Sequence, residues 1–157
     1  MAIFIEERNA QLYHRFAEMF VSFQDLASLD IAGILWDMAI EERHHSSLLQ
    51  QRYTVKYGQA SCAITDADIS EMIELPQLDG SGVFNPNLDA SDAKRHALEI
   101  ALKAENMARA FYTELAQFAG DADLQALYVE LAAFEEDHVR FLELRLSSQT
   151  PTRSGIE

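Results

Sequence analysis

Two short stretches of this 157-residue chain read Glu-Glu-x-His: Glu41-Glu42-Arg43-His44 within MAIEERHHSS, and Glu135-Glu136-Asp137-His138 within AAFEEDHVRF. On a helix, Glu and His three positions apart stand about 60° apart on one face, a turn from each other. Carboxylate with imidazole suits iron or manganese, and neither stretch contains the thiolate that would mark a structural zinc site. The flanking residues argue against an ordinary charged surface. Leu124, Tyr128, Leu131 and Leu142 all fall within about 40° of Glu135. Ile34, Leu48 and Val55 fall on the line of Glu41. In each stretch the first Glu and the His therefore lie on the inward stripe of an apolar helix.

A repeat ties further residues to these two pairs. Laying the first helix on the third matches Glu6 with Glu105, Tyr13 with Tyr112 and Ala17 with Ala116. Laying the second on the fourth matches Ala39 with Ala133, Glu41-Glu42 with Glu135-Glu136, His44 with His138 and Leu48 with Leu142. Each half is thus a lone Glu on one helix and Glu-x-x-His on the next. In an antiparallel hairpin, residues at one level are equidistant from the turn. The midpoint between Glu105 and the 135–138 pair is Gly120-Asp121, and that for Glu6 and its partners is near Gln24; both are turn sites on independent grounds. The expected metal ligands are therefore Glu6, Glu41, His44, Glu105, Glu135 and His138, with Glu41 and Glu135 bridging two ions. Two divalent ions would balance four carboxylates whose burial unpaired is very costly. Four Glu and two His are the ligand set of di-iron and di-manganese helix bundles.

Other residues near the pattern carry weaker signals. Tyr13 and Tyr112 lie on the faces of Glu6 and Glu105; they are candidates to contact a bound ligand, or else core fillers. Glu42 and Glu136 point about 100° off the stripe and read as solvent-facing. His45 is about 40° from Glu41, on the side away from His44, and matches Val139 in the repeat; it stays open as a ligand or as support for one. Asp37 stays open between orienting a ligand histidine and lying on the surface. His14 and His96 have no repeat partners and read as surface residues.

Four helices must hold these side chains. Apolar periodicity marks residues 2–23, then about Leu29 to Tyr57 with Gly58 as the stop. The third helix runs from Ser91 to about Ala119, and the fourth from about Ala122 to Leu146. Residues 59–90 hold Pro76, Gly80, Gly82 and Asn85-Pro86, so they form a long connection; Thr65 and Asp68 hint at one short helix inside it. The polar segment 148–157 reads as a flexible tail, leaving one domain over residues 1–147. The expected fold is all-α: a four-helix bundle with a long crossover between helices 2 and 3.

Composition sets outer limits. Twelve basic against 26 acidic residues give a net charge of −14, which argues against binding nucleic acid or an anionic membrane surface. A single cysteine, Cys62, excludes an internal disulfide and a four-cysteine metal module from this sequence. No apolar run approaches the roughly 18 residues of a membrane span, and the first residues lack the basic start of a signal peptide. A reducing, cytoplasmic setting is the expectation.

Glu6 with Tyr13, Glu41-x-x-His44, Glu105 with Tyr112, and Glu135-x-x-His138 together resemble the rubrerythrin branch of the ferritin-like superfamily, over roughly residues 1–147. The resemblance implies a di-iron bundle, often a homodimer, that reduces hydrogen peroxide or oxidises ferrous iron with peroxide or O2. Two features differ from peroxidase rubrerythrins. The rubredoxin module is missing, so a separate electron donor such as a rubredoxin-like protein is implied. Ala108 stands where that family tends to carry an extra carboxylate, one turn after the third-helix Glu. Two alternatives remain: a ferroxidase or iron-storage protein, and a helical interaction module with a vestigial metal site.

Overall fold

A computed structural model describes residues 1–58 and 89–148 of the chain. Four helices account for nearly all of them: α1 (Ala2–Ser22), α2 (Leu26–Tyr57), α3 (Ala90–Phe118) and α4 (Ala122–Ser148). Among the described residues there is no strand. The expected short helix near Thr65 and the tail beyond Ser148 lie outside the described residues. The chain divides into two compact units, one carrying α1 packed on α2 and the other α3 packed on α4. No helix among the described residues is long and apolar enough to cross a membrane.

In the first hairpin, α1 buries Ile5, Leu12, Tyr13, Phe16 and Phe20, an i, i+3/i+4 stripe. Its last turn is closed by the N–H of Gln24 donating to the carbonyl of Val21, with Gln24 in the left-handed region at φ 58°. Asp25 then caps α2, its carboxylate accepting from the Ser28 N–H at 2.9 Å and the Ser28 hydroxyl at 2.7 Å. The helix therefore starts at Leu26, three residues before the expected Leu29, because Asp25 rather than Ser28 is the cap. Gly58 ends it at φ +78°, where a side chain would be strained.

The second hairpin is built alike. Asp89 caps α3 through the Asp92 N–H, and Asp121 caps α4 through the Leu124 N–H at 3.0 Å. The Gln125 side chain donates back to the Ala116 carbonyl at 3.1 Å, tying the new helix to the end of the old one. These turns fix the level at which each lone Glu meets its Glu-x-x-His partner.

Candidate metal centre

Within the first hairpin the ligand atoms of Glu6, Glu42 and His45 lie within 4.8 Å of one another. His45 Nδ1 is 3.2 Å from Glu6 Oε2 and 3.9 Å from Glu42 Oε2. The second hairpin repeats the arrangement with Glu105, Glu135 and His138. There His138 Nδ1 is 3.2 Å from Glu105 Oε1 and 3.6 Å from Glu135 Oε2. All six side chains are buried.

The structure thus brings Glu6, Glu105, Glu135 and His138 into these triads, but not Glu41 or His44. Both of those are exposed. The expectation is one residue out of register on α2, and the physical reason is rotation. The segment Glu41-Glu42-Arg43-His44-His45 contains two overlapping Glu-x-x-His pairs, and one residue turns a helix by about 100°. Matching Glu-Glu with Glu-Glu selected the wrong pair. The flanking residues carry the signal that separates the two. Glu42 is fully buried with Leu35, Met38 and Leu49 on its face, all buried. On the face of Glu41, Asp37 is exposed and Val55 is 82% exposed. So Glu42, expected to face water, lies in the core, and the open question of His45 resolves to a member of the first triad. Asp37 lies on the surface.

Tyr13 and Tyr112 are both fully buried on the faces of Glu6 and Glu105. Tyr112 also stacks on Tyr128 at 6.3 Å between ring centroids, so it fills core as well as flanking the triad. His14 is half-exposed and pairs with Glu18 at 3.7 Å, in keeping with a surface role.

The donor set fits a metal ion. Donors bound to one ion at about 2.1 Å stand roughly 3 to 3.5 Å apart; His45 Nδ1 and Glu6 Oε2 fall in that range at 3.2 Å, with Glu42 Oε2 further off at 3.9 Å. Two carboxylates and an imidazole, without thiolate, match a hard or borderline divalent cation. These buried groups can hold a metal ion.

Beside the second triad, Glu136 is not simply solvent-facing. Arg109 of α3 donates to it across the hairpin, and Arg140 donates to its other oxygen at 3.2 Å. The Arg109 hydrogen bond holds the Glu136 carboxyl below its ordinary range, against a smaller opposing effect of burial and with help from the charges of Arg109 and Arg140. A depressed native pKa gives stability that is present above the unfolded value of about 4.3 and is lost as pH falls through the native value. Glu136→Gln is therefore expected to lower the melting temperature at pH 7, with the gap from the unmodified protein closing below about pH 4. Thermal unfolding across pH checks this, and an equal gap at pH 3 and pH 7 would refute it.

No family model and no curated protein matches the chain. Among solved structures it is similar to the crystal structure of an uncharacterized conserved protein from Magnetospirillum magnetotacticum MS-1. The identity is 24%, the TM-score is 0.73, and the match covers 99% of this chain and 94% of that one. The likeness shows the fold: an all-α four-helix bundle.

Proposed function

We propose that the protein is a rubrerythrin-like non-haem di-iron oxidoreductase that reduces hydrogen peroxide while oxidising ferrous iron. The observation that carries this reading is the doubling of one buried triad. Each hairpin supplies two carboxylates and one imidazole, with the same 3.2 Å approach of His Nδ1 to the lone Glu. Together the two triads, Glu6, Glu42 and His45, and Glu105, Glu135 and His138, contain the four-Glu, two-His inventory of di-iron carboxylate bundles.

Two ferrous ions held there would supply the two electrons, and solvent the two protons, that reducing hydrogen peroxide to two waters requires. The chain's own residues do the remainder. The four buried carboxylates would hold the ions and offset their charge where water is excluded. Buried Tyr13 and Tyr112 keep the helix faces beside Glu6 and Glu105 closed to solvent.

The test is iron reconstitution without oxygen, metal analysis, and then rapid mixing of the ferrous protein with peroxide or with O2. Binding of about two irons per chain and oxidation faster with peroxide than with O2 are expected. Fewer than about one iron per chain defeats the metal reading. Faster oxidation by O2, with further iron taken up, defeats the peroxidase assignment in favour of a ferroxidase.

A further inference from the structure

Asn9 is a polar residue on the buried face of α1, 2% exposed, and its Nδ2 makes no hydrogen bond within the described residues. An asparagine inside a helix has a ready partner in the carbonyl four residues back. Asn106 of α3 uses it, donating Nδ2 to the Leu102 carbonyl at 2.9 Å. Asn9 does not take up the equivalent bond. A buried amide N–H left unmatched costs about 1–3 kcal/mol, and protein cores keep few of them.

The location of this donor is specific. Asn9 follows Glu6 by three residues and precedes Tyr13 by four, so all three share one face. Helical side chains lean toward the N-terminus, which lays the Asn9 amide over the turn that carries Glu6. In the repeat its counterpart is Ala108, three residues after Glu105 and likewise buried. The α1 face that carries Glu6 therefore has a buried N–H donor one turn on, where the face of Glu105 has a methyl group. A carboxamide cannot ionise, so it offers the donor at any pH. Glu6 and Glu42 offer only acceptors when ionised, and would be engaged with a metal.

We propose that Asn9 is a binding residue for a small anionic ligand at the first triad, to which its Nδ2–H donates. The proposal rests on the di-iron reading and deepens it: the oxidant, in its hydroperoxide form, is held at the Glu6–Glu42–His45 triad. Asn9 then acts through a hydrogen bond to the ligand and not by holding the metal.

Azide, a small anion, serves as the probe. Iron-loaded protein, Asn9→Ala and Asn9→Ser are first analysed for metal content, then oxidised and titrated with azide by visible absorption. Asn9→Ala is expected to keep its full iron and to bind azide about tenfold more weakly. Asn9→Ser, which keeps a short donor, recovers part of that loss, and serves as the readout if the alanine variant does not fold. Without azide, Asn9→Ala melts no lower than the parent, since the truncation removes a buried group with an unmade bond. Azide affinity within about twofold of the parent at full loading overturns the role of Asn9 and leaves the di-iron reading standing. Loss of iron in the Asn9 variants alone also overturns it, because Asn9 would then be supporting a metal ligand. Failure of the parent to load iron overturns both readings.

Discussion

Alanine at Glu42 is expected to weaken iron binding to the first triad by at least about 100-fold, whereas alanine at Glu41 leaves it unchanged. The two residues are neighbours of the same type, so their composition, charge and sequence context are matched. They differ in direction. Glu42 is fully buried, with Oε2 3.9 Å from His45 Nδ1; Glu41 is exposed. The same contrast applies one turn on, with His45→Ala losing iron and His44→Ala keeping it. Metal analysis after anaerobic reconstitution reads this directly: about one iron per chain in the Glu42 and His45 variants, and about two in the other pair. Iron lost from Glu41→Ala and retained in Glu42→Ala would restore the other register and remove the first triad as described.

That one-residue difference marks the boundary of what the sequence made legible. Helix number, the two hairpin turns, and the pairing of Glu6 and Glu105 with the second helix of each hairpin follow from periodicity, capping residues and the repeat. Axial level is a forgiving quantity, because one residue changes height by only about 1.5 Å. Rotation is unforgiving, because the same residue turns the side chain by about 100°. At Glu135 a single His three residues on left no choice. At Glu41-Glu42 and His44-His45 both members of the pair are doubled, and residue identity cannot choose between them. Leu35 and Leu49, a heptad either side of Glu42, could have chosen, since both belong to the buried stripe. Other features were less legible because they are tertiary. Nothing local says that Arg109 reaches across the hairpin to Glu136, or that the amide of Asn9 is enclosed with a bond unmade.

Removing iron is expected to lower the melting temperature sharply, and replacing one core glutamate by leucine to cut that dependence to about half while stabilising the metal-free protein. Glu6, Glu42, Glu105 and Glu135 are all fully buried. Carboxylates taken out of water are costly unless their charge is offset, and a divalent ion offsets it strongly. A ligand that binds only the folded state at 1,000 times its Kd adds about 4.1 kcal/mol. At roughly 2–4 °C per kcal/mol for a chain of this size, chelation should lower the transition by about 8–16 °C. The leucine variants Glu42→Leu and Glu135→Leu separate the two contributions. Without metal, each exchanges a buried acid for an apolar side chain of similar bulk and should gain about 1–4 kcal/mol. With metal, each keeps one intact triad and should gain about half as much from iron as the parent does. Calorimetry of all three proteins with and without iron tests the coupling. A chelated parent that melts where the loaded protein does would mean that these carboxylates are not there for a metal, and the helical interaction module would then be the better account of the fold.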